Sequence, residues 1–343
     1  MGFSSLNPTS FFDFLTCRNR FYSGYGRVVR LSFICILVYK YNRRVVVKVY
    51  FLSDVEHKYL LHQLLPVARE VGVNKELRGW SWFQPPLKPY YDNVKLPMYT
   101  VTSKYCPTGR DVYLRNIEKI HPKPTANVAL GKMLHGVVSD CLLSFLQQRR
   151  TTFEDWWEKI RWDEIPEKPE NVNESSRRVW GFVSKFCEAR IAEVSSRQPY
   201  ASEHDVTSSA LPFLVEHKIS GELLGLSGIL SLDCYDYLHA IMFDLKVNDE
   251  RRDWHRLAPV GYALVFESVH EVPVDICCIV YLYLKDGKIS VNKDLFFANE
   301  ELRQWWIEER DKKMEIVAEA KDPGRPERSQ CMDSCMFFEA CYG

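Results

Sequence analysis

Hydrophobic and polar residues follow three different patterns along the first hundred residues. Up to about residue 49 the chain is β-branched, aromatic and basic, as in RVVRLSFICILVYKYNRRVVVKVYFL, and it shows little helical periodicity. From Ser53 or Asp54, either of which can cap a helix, apolar residues recur at helical spacing up to Val67. Residues 72–98 then form an irregular segment rich in rings and proline, whose rings are expected either to pack on the domain surface or to stack on nucleobases.

The rest of the chain changes between helical and strand periods. Helices are predicted over residues 108–118, 126–149, 153–161, 176–196, 254–267 and 299–319, and strands over residues 211–217, 226–235, 238–246, 274–284 and 287–293. The polar stretch SSRQPYASEHD is predicted to be a surface loop. Helices therefore come first, then a strand-rich block, then a long charged helix. This order predicts an α/β core wrapped by a helical portion.

Composition narrows the environments in which this chain is expected. Its 343 residues include 45 basic and 45 acidic side chains, which disfavours free, non-specific DNA binding unless basic residues are concentrated locally. An odd number of cysteines, 11, without a secretory leader argues against a disulfide framework. The best apolar run, Leu31 to Tyr39, is about half of the roughly 20 residues that a bilayer requires. We therefore expect a cytoplasmic protein that does not enter a membrane.

Two apolar strands within residues 225–247 carry the most informative charged residues. Asp233 lies near the end of the first strand, and Asp244 and Lys246 lie on the second. Because strand side chains alternate, Asp244 and Lys246 share a face while Leu245 points into the core. Carboxylates on adjacent strands form a hard oxygen site for Mg²⁺ or Mn²⁺, which activates water against a phosphodiester, with Lys246 stabilising the developing charge. The simpler alternative is an ion pair between Asp244 and Lys246 at a strand edge.

Other side chains extend this hypothesis. His135 lies in the amphipathic run ALGKMLHGVVSDCLLSFL, where a lone histidine is usually a core residue but, beside carboxylates, is a candidate Mn²⁺ ligand. The later run WHRLAPVGYALVFES is predicted to be a helix across the sheet, with Tyr262 facing either the site or the packing interface. Positive charge for a phosphate backbone is expected from a local group of side chains: Lys246, Arg251, Arg252, His255 and Arg256.

Four cysteines differ in setting from the others. Cys106 precedes a predicted helix, and Cys331, Cys335 and Cys341 form a C-x3-C-x5-C pattern in the last 13 residues. The pattern is compatible with zinc, with an iron–sulfur cluster or with no ligand. A group that joined Cys106 to the tail would close a very long loop and stabilise the fold by about 5 kcal/mol, if the loop entropy of a disulfide applies. The other seven are expected to be small buried core residues: Cys17, Cys35, Cys141, Cys187, Cys234, Cys277 and Cys278.

The order of these residues over about 130–268 resembles the RecB-like branch of the PD-(D/E)XK nucleases. Histidine comes first, then aspartate on a strand, then Asp-x-Lys, then a helix with tyrosine. The resemblance implies a nuclease core in which a mixed sheet is flanked by helices. It also implies roles for individual residues: Asp233, Asp244 and Lys246 in catalysis, His135, Asp233, Asp244 and the Leu245 carbonyl as Mn²⁺ or Mg²⁺ ligands, and Glu216 and Tyr262 as accessory groups.

This chain departs from that branch at one position. The branch commonly has glutamine four residues before the tyrosine, where this chain has Ala258. The role of the helix in contacting DNA is therefore in doubt, and His255 and Arg256 are the candidates to replace the missing side chain.

One cysteine before the nuclease-like region and three after it resemble the iron–sulfur exonucleases of CRISPR adaptation. The stretches ELRGWSWFQPPLKP, YCPTGRDVYLRNI and GLSG are similar to the archaeal subtype I-A branch. The resemblance implies a [4Fe–4S] cluster on Cys106, Cys331, Cys335 and Cys341. It further implies a single-stranded DNA exonuclease that trims prespacer ends alongside an integrase and other adaptation proteins. Homo-oligomerisation stays open.

The resemblance divides the chain into segments and leaves alternatives. Residues 1–49 are an extension or follow a misassigned start, 50–125 form a helical and irregular segment, 126–320 form the core with a helical insertion at about 150–205, and 321–343 form the cluster-binding tail. One alternative function is a non-catalytic DNA-holding subunit of the adaptation complex, and another is a cluster-dependent redox sensor. Intact Asp233, Asp244 and Lys246 argue against the former, since a retired site has no need of all three.

Overall fold

A five-stranded mixed sheet lies at the centre of the computed structural model, which describes residues 48–122, 124–160, 171–248, 250–285, 287–332 and 335–343. In chain order the strands are β1 (Phe213–Ile219), β2 (Leu230–Asp236), β3 (Ile241–Lys246), β4 (Ile276–Lys285) and β5 (Lys288–Phe297). They keep this order across the sheet. Neighbouring strands are antiparallel except for β3 and β4, which are parallel. The expected mixed sheet is therefore confirmed.

The helices of the described residues flank this sheet and fill the region before it. They are α1 (Asp54–Tyr59), α2 (Leu65–Val71), α3 (Met98–Thr102), α4 (Arg110–Asn116), α5 (Ala126–Leu146), α6 (Phe153–Trp157), α7 (Val172–Arg197), α8 (Glu203–Ala210), α9 (Leu257–His270), α10 (Glu300–Glu319) and α11 (Phe338–Tyr342). A π-helical turn, Leu60–Leu64, joins α1 to α2, because Pro66 at the start of α2 has no N–H to donate. The α/β fold predicted from the element order is confirmed.

Two hydrophobic cores lie on opposite sides of the sheet. One contains α5 and α7 with Cys234, Phe243 and other strand residues. The other contains α9 and part of α10 with Met242 and Ile279. Helix α9 connects the parallel strands β3 and β4, as such a pair requires a crossover. The described members of the seven core cysteines are buried, as predicted, while Cys17, Cys35 and the Leu31–Tyr39 run lie outside the described residues.

The prediction of a surface loop over residues 195–205 was wrong. The stretch predicted to be a surface loop contains the start of α8, where the Ser202 hydroxyl accepts a hydrogen bond from the Asp205 N–H at 3.2 Å. Serine followed three residues later by an acidic residue is a helix-start pattern, so local capping outweighs the polar composition of this stretch.

The irregular aromatic segment packs its backbone against the α9 and α10 side of the sheet. At Gly79 a Cβ atom would lie 2.0 Å from the Leu264 carbonyl oxygen, so no larger residue fits there. Leu87, Val94 and Leu96 belong to the same core. Trp82, Phe83 and Tyr90 keep exposed rings. Packing therefore accounts for the segment's path, although these three rings face solvent.

Helix α10, the long charged helix predicted over residues 299–319, buries three of its cations. Arg303 and Arg310 are fully buried, and Lys313 is 5% exposed. Arg310 donates to the Leu87 carbonyl at 2.6 Å, and Lys313 donates to the Val101 and Ser103 carbonyls at 2.6 Å each. These charges therefore hold the segment that leads to Cys106.

Helix α5 is, within the described ranges, long and apolar enough by length and composition to cross a membrane. Its residues Leu134, Val137, Val138, Cys141 and Leu142 instead form part of the core beside the sheet. Its apolar composition is explained by this packing.

Candidate active site

Three carboxylates lie in one row across β1, β2 and β3. The β1–β2 register places Glu216 opposite Asp233, between the pairs Val215–Cys234 and His217–Leu232. The β2–β3 ladder ends at the pair Cys234–Phe243, and the next residues are Asp233 and Asp244. Opposite residues on neighbouring strands face the same side of a sheet, so three acidic side chains converge. Asp233 is the middle residue of β2 rather than near its end, because the strand begins at Leu230.

The backbone is distorted where this row forms. Beyond the end of the β2–β3 ladder, the Leu245 N–H donates to Asp233 Oδ2 at 2.8 Å. The Leu245 side chain is buried in the core, as predicted. Glu216 has a φ of 49°, a left-handed conformation that costs a non-glycine residue roughly 1–2 kcal/mol. Its carboxylate accepts a hydrogen bond from Ser231. Strain of this kind gathers at functional sites.

His135 reaches the row from α5. Its Nε2 lies 3.1 Å from Asp233 Oδ2, and its Nδ1 lies 3.5 Å from Glu216 Oε1. One ligand atom from each of the three residues lies within 4.8 Å of the others. Burial opposes a charge on His135, but the hydrogen bond that its ring donates to Asp233 and the charges of the nearby carboxylates outweigh it and raise the His135 pKa to about 9. The carboxylates thus attract positive charge strongly at this point.

Asp244 and Lys246 complete the site on β3. Lys246 Nζ lies 2.8 Å from Asp244 Oδ2, although this oxygen has no well-aligned hydrogen bond within the described chain. Burial raises the Asp244 pKa to about 6, against the opposing charge of Lys246. The Lys246 pKa is also raised, because Asp244 and Asp233 outweigh the burial of the ammonium group. The ion pair expected under the simpler interpretation is present, but it belongs to a larger acidic cluster.

Two tyrosine hydroxyls lie within electrostatic range of these carboxylates. The Tyr262 pKa is raised, first by burial and then by the charges of Asp233 and Asp244, while its ring packs against the core on the α9 side of the sheet. The Tyr50 pKa is also raised, first by burial and then by nearby charges such as that of Asp233. Its buried hydroxyl has no hydrogen-bond partner among the described residues. Sequence analysis missed Tyr50. A tyrosine within the apolar, β-branched run before residue 53 was the signal available.

The structure uses two of the expected cations differently. Burial, together with the charges of Lys246 and Arg252, lowers the His255 pKa to about 4, so the ring is uncharged at neutral pH. The expectation that His255 supplies positive charge is therefore wrong. Arg256 pairs with Asp294 through bonds of 2.8 and 3.0 Å. Arg251 and Arg252 are the remaining guanidinium groups near Lys246.

The four separate cysteines line one small cavity together. The cavity lies between the segment before α4 and the C-terminal tail. Burial raises the pKa of the Cys335 thiol most, and the neighbouring cysteines raise it further. Among described residues, the group of ligand atoms within 4.8 Å of one another comprises His135, Glu216 and Asp233 and includes no cysteine. Sulfurs around a tetrahedral zinc lie about 3.8 Å apart, given Zn–S bonds of about 2.3 Å. The four sulfurs therefore share one cavity without forming a compact tetrahedral group in this structure.

The family model of CRISPR-associated exonuclease Csa1 matches residues 49–343 of this chain. The chain belongs to this family. The family match includes His135, the carboxylate row, Lys246 and all four cavity cysteines, and it begins at the residue where the buried segment Val49–Phe51 starts.

Two curated Csa1 proteins are similar to this family member over most of their length. The CRISPR-associated exonuclease Csa1 of Saccharolobus solfataricus is 25% identical over 278 residues, which cover 79% of this chain and 93% of that protein. The CRISPR-associated exonuclease Csa1 of Thermoproteus tenax is 26% identical over 290 residues, covering 84% of this chain and 99% of that protein. A nuclease role in CRISPR is therefore supported by family membership as well as by the site.

Proposed function

We propose that this Csa1 family member is a divalent-metal-dependent exonuclease that trims the single-stranded ends of prespacer DNA. It acts in the cytoplasm alongside an integrase and other adaptation proteins. The observation that carries this proposal is the row of Glu216, Asp233 and Asp244, which His135 closes from one side and Lys246 from the other. The family's exonuclease description supports the reaction class.

The donor set fits a Mn²⁺ or Mg²⁺ ion. Like charges held close together without a cation disfavour each other's ionisation, and the ligand atoms of Glu216, Asp233 and His135 lie within 4.8 Å of one another. Carboxylate oxygens suit both ions, and the imidazole of His135 suits Mn²⁺. We assign His135, Asp233, Asp244 and the Leu245 carbonyl as ligands, with Glu216 as an accessory donor. A cation bound there polarises the phosphodiester and lowers the pKa of a water molecule.

The protein's own side chains supply the remaining chemistry. Lys246 stays protonated because two carboxylates favour its charge, so its ammonium group stabilises negative charge that develops on the phosphate. Asp244 holds Lys246 in place at 2.8 Å. Tyr262 offers a buried hydroxyl on the same side. Arg251 and Arg252 lie where they can contact flanking phosphates.

We further propose that Cys106, Cys331, Cys335 and Cys341 hold a [4Fe–4S] cluster with a structural role. Four thiolates are the usual ligands of such clusters, and all four of these cysteines line one cavity. Anaerobic purification followed by iron, sulfide and zinc analysis tests this assignment. We expect iron and sulfide in equal amounts with broad visible absorption, and stoichiometric zinc without iron would overturn it.

Substitution of the two β3 residues tests the nuclease. Asp244→Ala and Lys246→Ala should each lower Mn²⁺-dependent cleavage of labelled single-stranded DNA by at least about 100-fold, the scale on which a charge-stabilising group acts. The exposed residues Asp92 and Lys185 provide controls, and Asp92→Ala and Lys185→Ala should cleave normally. Full cleavage by folded Asp244→Ala would overturn the assignment of this site, and no Mn²⁺-dependent cleavage by the wild type would favour the non-catalytic DNA-holding subunit.

A further inference from the structure

A group of aromatic rings and arginines extends from the active site toward the cysteine cavity. Tyr281 is the β4 neighbour of Lys246 in the parallel register, and its hydroxyl lies 3.2 Å from His255 Nδ1. The His255 and Trp254 ring centroids lie 4.5 Å apart, and those of Trp254 and Tyr105 lie 4.9 Å apart. A continuous chain of contacts therefore joins Lys246 to Tyr105.

Arginine side chains lie over these rings. The Arg252 guanidinium carbon lies 5.8 Å from the Trp254 ring centroid and 6.0 Å from that of Tyr105. One terminal nitrogen of Arg252 pairs with Glu250 at 2.5 Å, while its Nε is buried and has no hydrogen-bond partner in the described part of the chain. Arg251 lies 5.6 Å from the Tyr281 ring centroid. Positive charge and flat apolar surface thus occur together beside the active site.

Tyr105 also forms part of the wall of an apolar cavity of about 360 Å³. Tyr99, Met332 and Phe337 line the same cavity, and Arg115 lies over the rings of both Tyr99 and Phe337. Cavities of about 300–1,000 Å³ lined by aromatic groups are typical of small-molecule sites. The Tyr105 ring is 49% exposed, so it is open to a ligand from outside.

Unpaired nucleobases match this surface. Every base offers a π-face that stacks on aromatic rings or guanidinium planes, and basic groups beside the rings follow the phosphate backbone. A base within a duplex has its faces covered by its neighbours and must leave the stack to enter a cavity. The surface therefore distinguishes single strands from duplex without reading their sequence.

We propose that Tyr105, Arg252 and Trp254, with the adjoining cavity, form a nucleobase-binding subsite for the single strand next to the phosphodiester at Lys246. The inference rests on the proposed nuclease function and adds to it the part of the molecule that selects single strands. Because Cys106 and Cys335 also line the cavity, the subsite adjoins the cysteine cavity, and the proposed cluster supports the wall that holds the base.

Binding without cleavage tests the subsite separately from the nuclease. The probe is a short fluorescent oligodeoxythymidine strand, measured by anisotropy in EDTA with the full chain. Tyr105→Ala should weaken Kd by at least about 10-fold, which corresponds to about 1.4 kcal/mol. Tyr105→Phe should restore binding, since it keeps the ring. The fully exposed Tyr200 provides the control, and Tyr200→Ala should bind normally.

Abasic substrates locate the bound base. In strands with one abasic position, wild-type affinity should fall at one or two fixed distances from the processed end, and Tyr105→Ala should show no further loss at those positions. A flat abasic scan, additive losses or unchanged affinity in Tyr105→Ala would overturn the subsite. Wild-type protein that binds the strand but never cleaves it would refute the proposed nuclease and leave the subsite supported.

Discussion

At the scale of single residues, the site collects groups whose local preferences conflict. Glu216 adopts a left-handed backbone and lies opposite another carboxylate. Tyr50 buries a hydroxyl without a partner in the described chain. Asp244 is 4% exposed yet must carry charge to bind a cation. Local conflicts of this kind are expected where function takes precedence over stability.

Tyr50 provides a test of this conflict. Tyr50→Phe keeps the ring, which lies 5.5 Å from Phe243 by centroid, and removes the unpaired hydroxyl. We expect the free energy of unfolding in EDTA to stay within about 0.5 kcal/mol of wild type or to rise by about 1 kcal/mol, because an unpaired buried polar group costs about 1–3 kcal/mol.

Tyr281 offers the matched comparison for that measurement. Its hydroxyl has a partner in His255, so Tyr281→Phe leaves a buried nitrogen unpaired and should lower the free energy of unfolding by about 1–2 kcal/mol. Urea denaturation of both variants gives the comparison. Equal destabilisation by the two substitutions would show that the Tyr50 hydroxyl is paired in the folded protein.

At the scale of elements, α10 holds α9 and the aromatic segment together through a buried ion-pair network, which we call the internal bracket. Arg303 forms two hydrogen bonds with Glu267 of α9, at 2.8 and 2.9 Å, and both side chains are fully buried. Arg78 adds a third contact to the same carboxylate at 2.9 Å. One buried carboxylate therefore joins α9, α10 and the aromatic segment.

Breaking this bracket should be costly. Arg303→Met leaves Glu267 buried without its main partner, and the free energy of unfolding should fall by about 3–5 kcal/mol. Lys312→Met, at an exposed position on the same helix, should change it by less than about 0.5 kcal/mol. Denaturant titration of the two variants measures the difference, and a loss below about 1 kcal/mol for Arg303→Met contradicts the bracket.

Features that depend on neighbouring residues in the sequence could be predicted, whereas features that depend on the pairing of distant segments could not. The two-residue period of a strand sufficed to place Asp244 and Lys246 together. The convergence of Glu216 with Asp233 depends on strand register, which turns and packing set, and no local pattern reveals it. Arg303 and Arg310 follow the helical spacing of the buried residues Trp306 and Ile307, but their charge suggested solvent exposure. The helical spacing therefore indicated that these two arginines lie on the buried face, although charged residues are usually exposed.

At the scale of the whole molecule, the C-terminal tail returns to the segment around Cys106. Several contacts hold it there independently of the cysteines. Arg110 pairs with Asp322 at 3.0 Å, and Thr108 donates to the Gly324 carbonyl at 2.9 Å. The C-terminal tail and the segment around Cys106 are therefore joined by more than one kind of interaction.

Removing the proposed cluster should consequently weaken the fold and spare the carboxylate site. Cys335→Ala should lose iron, and the free energy of unfolding should fall by up to about 5 kcal/mol, the value given by loop entropy. The rise in Tm on adding Mn²⁺ should remain, because the row of carboxylates contains no residue of the tail. The affinity for single-stranded DNA should also fall, because the proposed cluster supports the wall of the base-binding cavity.

A core cysteine separates loss of the cluster from loss of a thiol. Cys187→Ala, in the buried core, should keep wild-type iron content and single-strand binding. Calorimetry with Mn²⁺ and iron analysis on both variants complete the experiment. If Cys335→Ala abolished the Mn²⁺ response while staying folded, the two sites would be coupled, contrary to this expectation.

The left-handed backbone at Glu216 affects which substitutions are expected at this position during evolution. Glycine or asparagine adopts that conformation at lower cost, so stability alone favours them over glutamate at this position. Glutamate persists there only while its carboxylate is under selection. A descendant that had lost its cation chemistry would be expected to relax position 216 early, before the core around it changed, and sequence comparison within the family would record when that happened.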